Sequence, residues 1–214
     1  MVRQGTLMTF DLSLEEGAFL VGLARRTIES VLGGGRPPST SEAPEAAKRH
    51  CGVFVTLNKV RGGEHSLRGC IGYPYPVKTL ADAVVDVANG AAFEDPRFPR
   101  VSAGEMDEIV VEVSVLTPPE VVKVDDPRRF PEQVKVGVDG LIIRRGGRSG
   151  LLLPQVAVDW EWDAEEFLSQ CCVKAGLPPD SWLMPGTEVQ KFQALIFAEE
   201  SPRGTIKRVE IRGC

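Results

Sequence analysis

The stretch Arg68-Gly69-Cys70-Ile71-Gly72 sets a thiol between two glycines, with a guanidinium two residues before it. A cation beside a cysteine favours the thiolate, which is the nucleophilic and metal-binding form. Period-2 alternation on a strand sends Arg68 and Cys70 to one face and Leu67, Gly69 and Ile71 to the other. Flanking glycines admit the close approach of another group to the backbone. A cysteine nucleophile also needs a base, and the chain holds only two histidines. His65 is too far along the strand to touch Cys70, and His50 precedes the opposite strand, in reach only if the register allows. The plainer alternative for Cys70 is a small buried strand residue, since free cysteine is among the most buried types.

Further candidates follow. In Glu94-Asp95-Pro96-Arg97-Phe98-Pro99 two prolines stiffen a loop that presents Asp95 and Arg97. They read either as a carboxylate and guanidinium poised at a cleft, or as a local cap and an ordinary ion pair. In the strand 109–117, Val110, Glu112, Ser114 and Leu116 share a face. A carboxylate on so apolar a face lies near an edge or pairs with a cation, and Arg68 is the candidate partner if the strands are neighbours. Trp160 and Trp162 flank Glu161 before a capped helix, and Trp182 sits in a loop; core packing competes with stacking on a ligand. The chain has no Walker loop, G-x-G-x-x-G, H-E-x-x-H or G-x-S-x-G.

These residues need a scaffold. Ser13-Leu14-Glu15-Glu16 has capping-box form, and Leu20, Leu23, Ala24, Thr27, Ile28 and Val31 then mark a helix that Gly33-Gly34-Gly35 closes. Arg25, Arg26 and Glu29 should lie on its wet side. Residues 36–44 form a loop. Strand 52–60 and the 67–72 stretch make a hairpin through the glycine turn at 61–63, and Tyr73-Pro74-Tyr75-Pro76 ends it. A helix over 77–93 follows, weakened near its end by Gly90, and Ser102-Ala103-Gly104-Glu105 caps a short helical turn. Asp139-Gly140 predicts a tight hairpin between 134–136 and 141–143. A second turn, Arg145-Gly146-Gly147-Arg148, leads into Leu151-Leu152-Leu153. Asp163 caps a helix that Gly176 and Pro178 end, 189–197 is a last strand, and the residues after Glu199 form a tail. Hairpins alternating with isolated helices predict an α+β fold with mainly antiparallel sheet.

At 214 residues the chain is one large domain or two intimate ones. A formal net charge of −5 argues against a general nucleic-acid binder. Arg144, Arg145 and Arg148 crowd one turn, where a solvated hairpin tip is the simpler reading. No apolar run is long enough for a membrane span, and Met1-Val2-Arg3-Gln4-Gly5-Thr6 lacks the apolar core of a signal peptide, which favours a cytoplasmic location. The five cysteines include no C-x-x-C pair, which argues against structural zinc and for reduced thiols.

Four motifs, Leu67-Arg68-Gly69-Cys70-Ile71-Gly72, Asp95-Pro96-Arg97-Phe98-Pro99, Val113-Ser114-Val115-Leu116-Thr117 and Leu153-Pro154-Gln155-Val156-Ala157, stand in the order seen in the AMMECR family. On them the chain resembles a stand-alone archaeal or bacterial member, from about residue 15 to 197. The resemblance implies two sub-domains with a cleft between them: a larger one of 1–120 with 186–214, holding both termini, and a smaller one of 121–185 inserted in it. It implies a functional site near the Cys70 motif, and leaves the reaction and any cofactor open. Prokaryotic relatives tend to be encoded beside Memo-like and radical-SAM proteins, which implies a shared modification pathway. The human protein is viewed in regulatory terms, so a non-catalytic interaction module is the alternative. Gln155 stands where some relatives carry Glu, which tells against an acid–base role there. The expected cleft is built from Arg68, Cys70, Asp95, Arg97, Glu112 and Ser114. In it Cys70 is nucleophile or ligand, Arg68 and Arg97 bind an anionic group, and Asp95 or Glu112 moves protons.

Overall fold

The computed structural model describes residues 11–211; Met1 to Thr6 and the last of the five cysteines, Cys214, lie outside them. The Ser13 hydroxyl accepts from the Glu16 N–H at 3.2 Å, and the Glu16 carboxylate accepts from the Ser13 N–H at 2.7 Å. That box opens α1 (Leu14–Leu32) where the sequence spells it. β1 (Gly52–Arg61) and β2 (Glu64–Tyr73) follow as a hairpin whose turn residues, Gly62 and Gly63, have φ of 61° and 89°. α2 (Leu80–Phe93) starts at a Thr79 cap, three residues later than its apolar pattern suggests. A short 3-10 turn (Ala103–Asp107), closed by a Ser102–Glu105 box, leads to β3 (Ile109–Leu116).

The chain then runs through β4 (Glu120–Val121), α3 (Phe130–Gln133), β5 (Gly140–Arg145), β6 (Arg148–Leu152), α4 (Pro154–Asp159) and α5 (Ala164–Lys174). It closes with β7 (Glu188–Phe192), β8 (Ala194–Glu199) and β9 (Ile206–Val209). All strand pairs are antiparallel, in two sheets ordered β2-β1-β3-β8-β9 and β4-β7-β5-β6. α1 and α2 bury Leu20, Leu23, Val84 and Val87 against Val53, Val55, Leu57, Val111, Val113 and Val115 of the first sheet. α5 buries Phe167, Leu168 and Cys171 against Leu141 and Ile143 of the second. The fold is α+β, antiparallel with flanking helices.

Four local expectations fail, each for a physical reason. Asp139-Gly140 is no hairpin turn: the Asp139 carboxylate accepts from the Lys135 N–H at 2.9 Å, which rolls 134–139 into a local turn and leaves β5 to pair with β6 and β7. The strand expected over 189–197 breaks at Gln193, whose N–H donates to the Thr117 hydroxyl at 2.8 Å, and β7 and β8 fall in different sheets. The supposed tail supplies β9, which pairs with β8 through Ile196↔Val209 and Glu199↔Ile206. Arg25 is buried at 6% exposure rather than wet: its guanidinium donates to both carboxylate oxygens of Glu199 and to the Ile109 carbonyl at 2.6 Å.

Gly69 is a packing requirement. A Cβ there would stand 2.1 Å from the Ala91 carbonyl oxygen, so α2 lies on β2 only because the side chain is missing. Gly69→Ala is therefore expected to lower unfolding stability by about 1–3 kcal/mol, the usual cost of overpacking. Urea denaturation checks it; an unchanged midpoint would show that α2 yields freely.

Candidate functional site

Because Val53, Val55, Leu57, Val111, Val113 and Val115 face the helices, the alternate residues of β1 and β3 face the other way. On that second face Cys70 of β2 stands opposite Thr56 of β1, and Thr56 opposite Glu112 of β3. A thiol, a hydroxyl and a carboxyl thus form one row across three strands. Gly72, Phe54 and Ser114 form the next row.

Cys70 is held from its backbone. β2 is an edge strand, and the outward amide of Cys70 donates to Asp95 Oδ2 at 2.8 Å while its carbonyl accepts from Arg97 Nη2 at 3.2 Å. Asp95 is 5% exposed and also accepts from Arg97 Nε at 2.9 Å, from Nη2 at 2.7 Å and from the Arg97 amide at 3.1 Å. The stiff proline loop presents this bidentate pair as a clamp on the strand edge. The Arg97 guanidinium, reinforced by the Cys70 and Arg97 amides, holds the Asp95 carboxyl well below the usual carboxylate range. Asp95 is therefore a fixed anion at neutral pH and carries no proton, contrary to one of the roles expected for it.

The Cys70 thiol is half-buried, and burial pushes it above the ordinary thiol value. The Thr56 hydroxyl, 3.3 Å from Sγ, and the charge of Arg97 draw it back in part. Glu112 makes no ion pair among the described residues. Burial, with the charge of Asp159 on α4 adding to it, pushes its carboxyl up to about 7. That is a carboxyl able to exchange a proton at neutral pH.

Arg68 goes elsewhere. Leu57 pairs with Gly69 and Asn58 with Leu67, which leaves Arg68 as the extra residue of a β-bulge. Its guanidinium donates to both Glu105 oxygens, at 2.9 and 3.2 Å, and to the Arg100 carbonyl at 3.3 Å, and it holds the Glu105 carboxyl down at about 2. β1 separates β2 from β3, so the expected Arg68–Glu112 pair does not form. Arg68 is an internal tie rather than an anion binder. Ser114 is 1% exposed, its hydroxyl has no partner among the described residues, and it does not line the cleft.

The cleft itself holds about 500 Å³ between the first sheet and the β6–α4 segment of the second. Phe54, Cys70, Gly72 and Arg97 line one wall; Ser149, Leu151 and Val156 line the other, with Lys174 at the rim. Thr56 and the β6 wall are the parts of the candidate site that the sequence did not announce; Thr56 and Glu112 reach Cys70 through the strand row and are not among the residues that line the cleft. His50 bridges to Thr79, and His65 pairs with Val60 near the hairpin tip, so neither histidine serves Cys70. Trp160 and Trp162 stack on each other, with centroids 6.0 Å apart. The crowded guanidiniums are spent on the chain: Arg145 on the Pro185 carbonyl at 2.6 Å and Thr187 at 3.0 Å, Arg148 on the Gly176 carbonyl, Arg144 beside Glu188. Among the described residues no three His, Cys, Asp or Glu side chains converge as metal donors would, and no helix is long and apolar enough to cross a membrane.

Fold and site together define a class: an antiparallel two-sheet α+β protein with a clamped edge-strand thiol at the junction of its sheets. The AMMECR1 family model matches residues 21–197, and the chain belongs to that family. It is 54% identical to a Thermococcus gammatolerans protein over 198 residues, 91% of this chain and 95% of that one. It is 53% identical to protein PH0010 of Pyrococcus horikoshii over 205 residues, 94% of this chain and 98% of that one. The crystal structure of PH0010 superposes with a TM-score of 0.87, covering 92% of this chain and 97% of the other.

Proposed function

We propose that the cleft is a substrate site in which Cys70 is the nucleophile and Glu112 receives its proton, within the modification pathway that the family resemblance implies. The single observation that supports this reading is the Cys70–Thr56–Glu112 row, with its end carboxyl at about 7. A thiol raised by burial rests protonated, so its attack on an electrophilic substrate atom, which forms the bond to sulfur as a π bond or leaving-group bond of that atom gives up its electron pair to the substrate, needs a base that accepts the thiol proton. Thr56 stands between the two groups and already donates to the sulfur. The Asp95–Arg97 clamp fixes Cys70, while the Arg97 side chain, 47% exposed, keeps guanidinium donors for an anionic group on the substrate. The partners proposed for this chain are Memo-like and radical-SAM proteins, and the proposed location is cytoplasmic.

Alkylation by iodoacetamide, followed residue by residue by mass spectrometry, tests the nucleophile. Cys51, Cys171 and Cys172 are buried and serve as internal references. Cys70 is expected to show an inflection near pH 7 that Glu112→Gln removes, with a rate loss of about tenfold at pH 7.5. A profile with a single rise above the ordinary thiol value, identical in both proteins, would rule the base out. A Cys70 no faster than the buried thiols would rule out the nucleophile.

A further inference from the structure

β2 and β6 each end their sheets, and residues of both line the cleft. On an antiparallel edge, alternate residues turn both their N–H and C=O away from the neighbouring strand. In β2 the Asp95 and Arg97 bonds identify Cys70 as such an outward residue, so Gly72 is the next. In β6 the two-residue turn at Gly146 and Gly147, with φ of 55° and 78°, makes Arg145↔Arg148 a hydrogen-bonded pair. Counting along the ladder, Gly150 and Leu152 bond inward, and Ser149 and Leu151 turn outward into the cleft. The outward groups of Gly72, Ser149 and Leu151 meet no hydrogen-bond partner among the described residues.

The Asp95 carboxylate and Arg97 guanidinium show what such an edge binds: an acceptor and a donor side by side, as a peptide unit presents them. Beyond Cys70 no other such pair meets these edges among the described residues. The cleft carries one net positive charge in a chain of net charge −5: Asp95 balances the half-exposed Arg97, and Lys174 is exposed and makes no ion pair among the described residues. We propose that the cleft takes an extended peptide segment bearing an acidic side chain, which adds to β6 as a fifth strand of the second sheet and brings a side chain to Cys70. The main-chain bonds at Ser149 and Leu151 supply affinity, and Arg97 and Lys174 read the carboxylate. This names a substrate class for the site proposed above and rests on that reading of the cleft.

The probe is a pool of synthetic decapeptides, acetylated and amidated, with a central Glu, Ala or Lys and randomised flanks; binding to the full chain is read by fluorescence polarisation. Glu-centred peptides are expected to be selected. N-methylation along the best one should weaken binding at least tenfold at every second residue and little at those between. Ser149→Pro removes one outward donor from an edge position and should weaken binding by a similar factor, whereas Ser149→Ala should not. Binding indifferent to N-methylation at every position, selection of Lys-centred peptides or selection of none would each overturn the proposal. If Ser149→Pro fails to fold, the N-methylation pattern decides alone. Cys70→Ser is expected to bind peptide normally, so loss of the nucleophile reading and loss of the peptide reading give different results.

Discussion

Glu199→Ala is expected to cost the fold about 3–5 kcal/mol, the range found when one member of a buried ion pair is removed. Arg25 on α1 and Glu199 at the end of β8 are 6% and 5% exposed. The guanidinium donates to both carboxylate oxygens, to the Ile109 carbonyl at 2.6 Å and to the Met106 carbonyl at 3.4 Å. Glu199 Oε2 accepts in addition from the Val111 N–H at 3.0 Å. Truncation leaves the buried cation with only the partly exposed Glu29 carboxylate, 3.3 Å away, as counter-charge and a buried amide without its acceptor, and each penalty adds to the other. The pair pins α1 to the strand that carries Glu112, so looser packing of β3 should accompany the loss. Urea unfolding at pH 7 measures it, together with hydrogen exchange at Val111. Arg25→Met with Glu199→Leu should recover part of the stability, because two apolar side chains bury no unpaired charge but still leave the Val111 amide without its acceptor. A loss below about 1 kcal/mol for the single variant would mean that water reaches the pair as it would on a surface.

The same pair shows where a sequence stops being legible. Helical periodicity counts an arginine as wet, and nothing local announces that a carboxylate 174 residues away will meet it. Local signals read true where the chemistry is local: the Ser13 box, the Asp163 cap on Glu166 at 2.8 Å and the glycine turns before β2 and β6 all stand where their spelling puts them. Asp139-Gly140 has the spelling of a hairpin without a strand before it, so its carboxylate satisfies the preceding turn instead.

The candidate site depends on one residue that alternation cannot see. With Arg61 opposite Glu64, an unbroken ladder would set Cys70 opposite Val55, which faces the helices. The bulge at Arg68 shifts the register by one residue, sets Cys70 opposite Thr56 and turns the thiol to the cleft. It also frees Arg68 to leave the row for Glu105. Residue types in the motif pointed to Cys70, Asp95 and Arg97 because each carries its chemistry in its side chain. Thr56, Ser149 and Leu151 escaped notice because the roles proposed for them come from register and from free backbone groups, which composition does not record.

Glu112→Gln should raise stability above neutral pH, by about 3 kcal/mol at full effect, and should change little at pH 4. The carboxyl moves from an ordinary 4.5 to about 7 on folding, and each unit of such a difference is worth about 1.4 kcal/mol. Since the folded value is the higher one, the folded state binds the proton more tightly. Its contribution to stability is complete below about pH 4.5, falls as the pH rises to about 7 and stays lost above that. Glutamine has the same shape and no charge, so the variant should follow the wild type at acid pH and part from it across that window. Unfolding free energies at half-unit intervals from pH 4 to pH 8.5 measure the gap. A constant difference across the range would mean that the carboxyl is solvated in the cleft and titrates like a free one, and Glu112 could then not serve as a base tuned to neutral pH. A gap that opens between pH 4.5 and 7, alongside loss of the pH 7 inflection in Cys70 alkylation, would show one carboxylate weakening the fold and activating the thiol.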